Sequence, residues 1–476
     1  MPPGPSIGHT PQHDFQAICN QITSILSNTP QVFFPPSIEY LSDNEHVSVS
    51  SSEASACSVE PGSTQDLGLI LQIVGKSRTP FKFGVKSGGH SGNRGFSSTR
   101  GVQISLARFN TFNVNTQART VELGPSLLWD DVYERLDPYG VTVIGGRFPG
   151  VGVGGLILGG GYSFKSNEHG LAIDNVVAFE LVLPNGTVTT VTAKDHDLWF
   201  ALRGGGNNFG IVTKFTINSY PQGQVWGGTI QYGSDQLGAV KNAIAEFSKV
   251  TDTNATRVSG FLYSSGEVIP AVLLFYNAPR PPSGIFDAFL RIPNQSQDIL
   301  ARSYTDFVKI QASQTTGPAG VRGNSCEFPT TNYSLDFLDA ITDQHWGSKL
   351  TPLDPNVLVE AFEEPFHRSL FAHGTPSAYP PDRSLLYFPS VIAFTWSNSS
   401  LDKTMTRRAI RESADSLRAA ALKDGQDVEH AAVYSNYALF DTPLEDMYGK
   451  NVPRLRALRR AVDPGDVMGL AGGFKF

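Results

Sequence analysis

Apolar side chains recur with a helical period near the start of the chain. Residues 14–28 carry four of them on one stripe, Phe15, Ile18, Ile22 and Leu26. This spacing predicts an amphipathic helix, which we expect Asp14 to cap. The segment STQDLGLILQIVGKSR repeats the period after a Ser/Thr cap signal and predicts a second helix. A short strand and a glycine-rich turn are expected in FKFGVKSGGHSGNRGFSS, which follows.

Between Gly101 and Pro221 the pattern changes to short strands rich in β-branched residues. They are VQISL, RTVELG, VTVIGG, VVAFELVLPNGTVTTVT and IVTKFTINSYP, with PNG as a hairpin turn signal. Two more glycine concentrations, GGRFPGVGVGGLILGGGYSF and ALRGGGNNFGIVT, interrupt them. Ordering a glycine costs backbone entropy, so three such loops favour the close approach of a ligand.

The remainder of the chain predicts antiparallel strands and covering helices up to about residue 430. A polar and aromatic segment, AAVYSNYALFD, follows, and then a helix that Asp463-Pro464 ends. We therefore expect an α+β protein. Its first domain would span residues 1–222, with a core over about 53–222. Its second domain would span residues 223–430, and a C-terminal segment, 431–476, would follow.

Composition supports two domains and a small-molecule partner. The chain has 476 residues, more than one core usually holds, and 40% hydrophobic against 17% charged residues is typical of a globular protein. A net charge of -7 with scattered Lys and Arg argues against binding to nucleic acid or an anionic membrane. No apolar run is long enough to span a membrane. We expect a monomer.

Compartment signals in the sequence are mixed. The opening MPPGPSIGHTPQHDF resembles no signal peptide, and the three cysteines form no C-x-x-C pair. Five N-x-S/T sequons begin at Asn185, Asn254, Asn294, Asn332 and Asn398. We expect a secreted or secretory-pathway protein, or a cytoplasmic one if the native N-terminus carries no signal.

The first glycine loop, GVKSGGHSGNRG, offers backbone N–H groups in a concave arrangement that suits a pyrophosphate. It is not the Rossmann fingerprint, because no G-x-G-x-x-G opens a helix and no acidic residue follows at the ribose distance. A dinucleotide is one interpretation, and an ordinary surface turn with an exposed histidine is the other.

Three motifs in order resolve this choice. PFKFGVKSGGHSGNRGFSS, GVGVGGLILGGGYSFKSNEHGLAIDNV and DLWFALRGGGNNFGIVT resemble the FAD-binding domain (PCMH type) of the vanillyl-alcohol-oxidase superfamily, in its berberine-bridge-enzyme-like branch. YSNY at 434–437 and the C-terminal helix also resemble that branch, which implies that 431–476 returns to the FAD-binding domain. The residues implied in FAD binding are His90, Lys86, Ser87, Gly88, Gly89, Ser91, Gly92, Gly150, Val151, Gly152, Gly154, Gly155, Gly159, Gly160, Gly161, Tyr162, Gly210, Ile211, Val212 and Asn436.

The resemblance further implies how the cofactor is held. His90 would carry the flavin covalently, since a neutral imidazole is a good nucleophile. Phe148 stands where many relatives have a second linking cysteine, so a single bond is expected. Val151 occupies the position of the residue that controls access of dioxygen to the flavin in this family. A valine at this position resembles the residue found in the oxidases. Cys19 and Cys57 lie where fungal-type relatives often form a disulfide, whereas Cys326 receives no catalytic role.

The same resemblance assigns proton removal to Tyr437, with Tyr434 as second choice, unless both tyrosines only shape the substrate face of the flavin. A free phenol is a poor base, so this role asks for a lowered pKa. Several other residues are expected to be structural or to lie at a pocket surface, without metal-ligand spacing. They are His169, Asp174, His367, His373, Glu429 and His430, with Trp346 and Tyr387 as candidates for the pocket wall.

Three functions remain open. The first is an FAD-dependent oxidase that transfers a hydride from a sugar, alcohol or secondary metabolite to flavin and passes electrons to dioxygen, which yields hydrogen peroxide. The second is a flavin-bearing cyclase of secondary metabolism, and the third is a metabolite-binding relative without turnover. The poorly matched middle of the chain, about 230–430, would choose the substrate, so fold alone does not decide.

The attachment expectation has a direct test. The protein should be yellow, its flavin should stay with the chain after acid precipitation, and the tryptic flavopeptide should contain His90 and no cysteine. His90→Ala should abolish the covalent bond, because it removes the imidazole nucleophile. Mass spectrometry of the flavopeptide checks both points, and a colourless pellet with free FAD in the supernatant would contradict covalent attachment.

Overall fold

The structure is a computed structural model. It describes residues 11–26, 31–76, 82–264, 266–310, 321–343, 350, 352–385 and 387–476. Helices and strands both occur throughout these ranges, and the strands form three sheets. This arrangement confirms the α+β class. Within the described ranges, no helix is both long and apolar enough to cross a membrane.

The first sheet has four strands in the order β1-β2-β4-β3. They are β1 Val32–Phe33, β2 Cys57–Val59, β3 Phe83–Lys86 and β4 Val102–Ser105. β2 and β3 both pair with β4 in parallel, which requires a crossover, and the helix Thr64–Lys76 supplies it. The first glycine loop therefore starts where β3 ends.

The second sheet is antiparallel, in the order β5-β6-β10-β8-β9 with β7 paired to β10. Its strands are β5 Phe112–Asn115, β6 Thr120–Leu123, β7 Val141–Val143, β8 Val176–Val182, β9 Val188–Val191 and β10 Ile211–Pro221. The PNG hairpin joins β8 to β9 as predicted, and Gly186 there adopts a φ of 88°, a backbone conformation that favours glycine.

The third sheet has seven antiparallel strands in the order β14-β11-β13-β12-β16-β17-β15. They are β11 Val225–Gln231, β12 Ala255–Ser264, β13 Glu267–Tyr276, β14 Ser296–Arg302, β15 Arg322–Thr330, β16 Leu358–Glu363 and β17 Phe388–Trp396. β10 ends at Pro221 and β11 begins at Val225, and between them we propose the boundary of the two domains.

The helices cover these sheets. Those before the third sheet are Pro11–Ile25, Ile38–Asn44, Thr64–Lys76, Trp129–Leu136, Val153–Gly159, Ser166–His169 and His196–Leu202. The helices that follow the first strand of the third sheet are Leu237–Phe247, Asp287–Leu290, Tyr304–Lys309, Leu335–Thr342, Asp402–Thr404, Ile410–Lys423, Leu444–Tyr448 and Val452–Val462. A π-helical turn, Met405–Ala409, joins the helix Asp402–Thr404 to the helix Ile410–Lys423.

The opening helix differs from its prediction at the N-terminal end. It begins at Pro11 rather than after a cap at Asp14. Proline fits the first helical turn because the N–H that it lacks has no partner there. The predicted apolar stripe is confirmed, since Ile18, Ile22 and Leu26 are buried in a core with the first sheet. Residues 27 and 28 lie outside the described ranges.

Two further hydrophobic cores hold the second and third sheets. One face of the third sheet packs with the helices Leu237–Phe247, Leu335–Thr342 and Ile410–Lys423. The other face supplies Val258, Leu273 and Phe275 to the core of the second sheet. The third sheet is thus enclosed on one side by its own helices and on the other by the glycine-loop part of the chain.

The C-terminal segment contacts that same part. Ala471 bridges to Phe83 of β3, and the carbonyls of Gly472 and Phe474 accept hydrogen bonds from Asn207 and Asn208 of the third glycine loop. The YSNY segment is a turn and carries no strand. The C-terminal residues therefore help to enclose the space between the loops.

The disulfide expected from the resemblance is present between Cys19 and Cys57, across a separation of 38 residues. Cys326 is a half-buried free thiol, and burial raises its pKa to about 12. Its thiol is therefore protonated at neutral pH.

Removing the disulfide should destabilise the first sheet and the opening helix. Loop closure over this separation corresponds to about 4 kcal/mol of unfolding free energy. Differential scanning calorimetry of the double variant Cys19→Ser/Cys57→Ser should show a lower unfolding transition than wild type. Cys326→Ser is the matched control, because it removes a thiol but no cross-link; equal transitions for the double variant and this control would contradict the prediction.

Candidate active site

A cavity of about 330 Å³ lies where the three glycine loops meet the C-terminal segment. The predicted residues that line it are Ser87, Gly88, Gly89, His90, Ser91, Val151, Gly152, Gly154, Gly155, Gly159, Tyr162, Gly210, Ile211, Val212, Tyr434, Asn436 and Tyr437. Residues from four separate stretches of the chain thus converge on one space.

The first two glycine loops touch backbone to backbone. A Cβ added at Gly88 would lie 2.6 Å from the Cα of Gly152, and one added at Gly152 would lie 2.6 Å from the backbone nitrogen of Gly88. Neither position can hold a side chain without separating the loops. The glycines are therefore required here by the close packing of the loops, and they leave backbone at the wall of the cavity.

The YSNY segment is fixed against the second loop. A Cβ at Gly159 would lie 2.3 Å from the amide oxygen of Asn436. The Asn436 amide donates to the Tyr434 hydroxyl at 2.7 Å, and the backbone N–H of Gly161 donates to the same hydroxyl at 3.0 Å. Tyr434 is thereby held by the loop, while Tyr437 faces a different set of partners.

His90 faces the cavity. Its side chain is accessible only from the cavity, and protein surrounds that cavity. This enclosure removes the ring from bulk water and so lowers the pKa of the imidazole. A hydrogen bond with the Gly150 carbonyl opposes that effect. Because burial is the larger influence, the ring is neutral at neutral pH, the form in which an imidazole nitrogen is nucleophilic.

Arg147, Glu364 and Tyr437 form a buried triad at the cavity. Arg147 Nη2 lies 2.6 Å from Glu364 Oε2, and both side chains are only 3% exposed. The same Nη2 donates to the Tyr437 hydroxyl at 2.9 Å, and that hydroxyl donates to Glu364 Oε1 at 3.3 Å. The phenol is thus placed between a guanidinium and a carboxylate.

The pKa of Tyr437 departs from the expectation. Burial and the nearby Glu364 carboxylate raise it well above its usual value, and Arg147 only partly opposes them. Burial also raises the pKa of Glu364, which Arg147 opposes. A guanidinium keeps its proton at any ordinary pH, so the ion pair favours the ionised form of Glu364. The lowered tyrosine pKa that the sequence argument asked for is therefore absent.

Five predicted residues do not line the cavity. Lys86 turns away and its ammonium donates to the Ser42 carbonyl at 2.6 Å. A Cβ at Gly92 would meet Asn324, and the Gly150 N–H donates to Asp130 at 2.9 Å. The other two, Gly160 and Gly161, have positive φ angles and make the turn that places Tyr162 and Tyr434.

The sequence argument missed several lining residues. They include Asn93, Phe96, Arg147, Asn207, Asn208, Tyr448, Gly472, Gly473 and Phe474. The glycine pair in GGFKF was an available signal for the last three, because it lies in the segment already expected to return. Nothing near Glu364 in the sequence pointed to Arg147, since 217 residues separate them.

The remaining candidates lie apart from the cavity. His169 stacks on Tyr220, and Asp174 pairs with Arg203 and Arg383. Tyr387 packs at the edge of the core beneath the third sheet, and Trp346 lies outside the described residues. In the part of the chain that the structure describes, no group of three or more His, Cys, Asp or Glu side chains could hold a metal ion.

The cavity fits the FAD that the resemblance implies. Gly155 lines it, and a Cβ added there would meet no atom within 4 Å, so this glycine leaves open space where a side chain would stand. The neutral His90 ring and the backbone of Gly88 and Gly152 share the same space. These features suit a flat ring system at His90 and a dinucleotide along the glycine backbone.

Sequence comparisons point the same way. A family described as FAD binding domain matches residues 55–192. An uncharacterized FAD-linked oxidoreductase from Arthroderma benhamiae is 30% identical over 468 residues, 92% of this chain and 91% of that protein. FAD-dependent monooxygenase yanF of Aspergillus niger is 30% identical over 424 residues, which cover 87% of this chain and 71% of that protein. A bifunctional solanapyrone synthase of Alternaria solani is 31% identical, covering 65% of this chain and 59% of that protein.

Solved structures share the fold. A 6-hydroxy-D-nicotine oxidase from Arthrobacter nicotinovorans matches with a TM-score of 0.74 at 20% identity, covering 93% of this chain and 97% of the other. A variant of berberine bridge enzyme matches with a TM-score of 0.75 at 18% identity, covering 94% and 97%. At these identities the likeness concerns the fold alone.

Proposed function

Because this chain belongs to the FAD-linked oxidoreductases and shares the fold of berberine bridge enzyme, we propose that it is a berberine-bridge-enzyme-like oxidase of a small organic substrate. The observation that carries the proposal is the Arg147–Glu364–Tyr437 triad beside the cavity that His90 faces. It combines a buried proton-accepting pair with a cofactor attachment point in one enclosed space.

His90 would hold the flavin by one covalent bond, with Phe148 in place of a second link. Bound FAD would supply a hydride acceptor for the substrate and a route for the electrons to dioxygen, which would yield hydrogen peroxide. The loops after β3 and β7 would hold the dinucleotide through Gly88, Gly152 and their neighbours. The neutral state of His90 supports this role, because a protonated ring has no free lone pair for bond formation.

Tyr437 would remove the substrate proton through a relay. Its high pKa means that the phenol is protonated in the resting protein, so it cannot act as a preformed base. It can accept a proton only as its own proton moves to Glu364, whose oxygen lies 3.3 Å away. Arg147 contacts the Tyr437 hydroxyl and Glu364 Oε2, and it stabilises negative charge on either residue. Glu364 is the final proton acceptor in this scheme.

Val151 would leave the flavin open to dioxygen. It lines the cavity, and its backbone is fixed by a hydrogen bond from the Trp129 N–H to its carbonyl. The side chain is therefore held in place at the cavity wall. A larger side chain at this point would reduce the space for a gas molecule without touching the triad.

We also propose that the protein passes through the secretory pathway and acts as a monomer. The Cys19–Cys57 disulfide is typical of an oxidising compartment. Of the five sequon asparagines, Asn185, Asn294, Asn332 and Asn398 are exposed and Asn254 is half-buried. Exposed sequons are the ones that glycosylation can reach.

A second candidate is a flavin-bearing cyclase, or another enzyme of secondary metabolism in which peroxide is not the principal product. The observation that favours it is that the relatives include a bifunctional solanapyrone synthase and several FAD-dependent monooxygenases. Peroxide release across sugar, alcohol and amine panels separates the candidates: an oxidase yields one peroxide per substrate oxidised, and the alternatives yield less.

The relay is tested by removing its proton carriers. Tyr437→Phe and Glu364→Gln should each lower the rate of anaerobic flavin reduction about a hundredfold or more, because each breaks the path from substrate to carboxylate. Stopped-flow absorbance measures the rate, normalised to the cofactor content of each variant. Tyr387→Phe is the control for loss of a phenol remote from the cavity. Flavin reduction at the wild-type rate in either variant would show that the triad takes no part in proton removal.

Oxygen access is tested by Val151→Leu. The added methylene narrows the cavity wall, so reoxidation of the reduced flavin by dioxygen should slow while anaerobic reduction stays near wild type. Double-mixing stopped flow resolves the two steps. Val177→Leu, at an exposed position of β8, is the matched control. Slower reduction with unchanged reoxidation would show that Val151 contacts substrate instead.

A further inference from the structure

The third sheet has two edge strands, β14 and β15, and the described residues cover them differently. The outer N–H groups of β15 have partners: that of Gly323 donates to the Ser48 hydroxyl at 2.8 Å, and that of Glu327 donates to the Tyr437 carbonyl at 3.2 Å. Within the described residues, no hydrogen bond from another element reaches the backbone of β14 on the side away from β11. Its outer N–H and C=O groups are therefore open to a further strand.

Several features that usually protect an edge strand are missing from β14. The edge strands β1, β3, β5 and β9 of the first and second sheets have two to four residues, whereas β14 has seven. Seven residues extend over about 23 Å. β14 contains no proline or lysine, and it pairs with β11 residue by residue without a bulge. An edge this long and regular is a surface on which another strand can pair.

The side chains of β14 add little electrostatic protection. Its two charged residues, Asp298 and Arg302, form an ion pair at 2.7 Å, so their charges cancel. Between them lie Ile299, Leu300 and Ala301, and Leu300 is 48% exposed. A neutral edge strand with an exposed apolar centre is prone to pair with another copy of itself.

One of the N-x-S/T sequons lies directly at this edge. Asn294 precedes β14 by two residues, and Ser296, the first residue of the strand, completes the sequon. Residues 293–298 are all exposed, so the sequon is accessible to a glycosylating enzyme. Asn294 Nδ2 donates to Gln297 Oε1 at 3.4 Å. The atom that carries an N-linked glycan thus lies beside the second residue of the edge strand.

We propose that Asn294 carries an N-linked glycan that shields the edge of β14 from pairing with a second copy of the chain. This inference rests on the proposed passage through the secretory pathway and assigns a site and a role to glycosylation there. The new bond joins Asn294 Nδ2 to the anomeric carbon of a lipid-diphosphate-linked oligosaccharide. The bond from that carbon to the diphosphate oxygen breaks, the lipid diphosphate leaves, and the amide loses one proton.

The position of the glycan suits this role. Two copies of β14 related by a twofold axis pair antiparallel, so the first residues of each strand lie opposite the last residues of the other. A bulky, hydrated group at the start of the strand then obstructs both ends of the pair. The glycan therefore supplies the protection that the length, regularity and charge of β14 do not.

The test uses the full flavin-loaded chain, secreted from a eukaryotic host. Mass spectrometry of its glycopeptides should find a glycan on Asn294. Ser296→Ala removes the sequon but keeps Asn294, and in size-exclusion chromatography with light scattering its polypeptide mass should rise about twofold or more with concentration, whereas wild type stays monomeric. Ser400→Ala is the matched control, because it removes the exposed Asn398 sequon after the interior strand β17 and should stay monomeric.

A second substitution identifies the associating surface. When the centres of two antiparallel copies of β14 align, residue 300 of one lies opposite residue 298 of the other. Leu300→Glu then places a carboxylate opposite Asp298, and like charges directly opposite one another destabilise the pair. Added to Ser296→Ala, it should restore the monomer. Removal of the glycans from folded wild type with an endoglycosidase repeats the test without a substitution and should produce the same association.

The outcomes separate this inference from the proposed compartment. Glycans on other sequons with Asn294 bare would overturn the inference and leave passage through the secretory pathway standing. Absence of glycans from every sequon would count against both. A glycan on Asn294 whose removal leaves the protein monomeric, or association that Leu300→Glu does not prevent, would overturn the shielding of β14.

Discussion

The ion pair between Arg147 and Glu364 is the interaction on which the site depends. Arg147 belongs to the second glycine loop, Glu364 follows a strand of the third sheet, and Tyr437, which both contact, lies in the C-terminal segment. One pair of opposite charges thus joins the three parts of the chain at the cavity. Because both side chains are almost fully buried, loss of either one would leave an uncompensated charge, at a typical cost of about 3–5 kcal/mol. The proposed proton relay and the contact among these three parts of the chain therefore rely on the same ion pair.

This pair also explains how a tyrosine with a high pKa can serve in proton removal. A lone buried phenol would neither lose its proton nor accept another. Placed between a guanidinium and a carboxylate, it can exchange protons without carrying a full charge in the resting protein.

Much of this arrangement could be predicted from the sequence. The three glycine loops and the α+β class rest on local sequence patterns, whereas the Cys19–Cys57 disulfide was implied by the family resemblance. His90 and Tyr437 lie together at one cavity as expected, although their roles stay predictions. Arg147 and Glu364 could not be paired in advance, because their contact depends on how two distant segments dock. Lys86 was placed in the cofactor site by its motif, yet its long side chain reaches the Ser42 carbonyl instead. The raised pKa of Tyr437 likewise follows from burial and from Glu364, neither of which local sequence reveals.

The central claim, that Tyr437 is protonated at rest and is therefore no preformed base, can be measured without a substrate. The tyrosinate band in the ultraviolet difference spectrum is titrated for wild type and for Tyr437→Phe. If the claim holds, the two titrations coincide below about pH 10, where a free tyrosine begins to ionise. A tyrosinate that forms near neutral pH in wild type and is missing in Tyr437→Phe would contradict the claim, because Tyr437 would then be a preformed base.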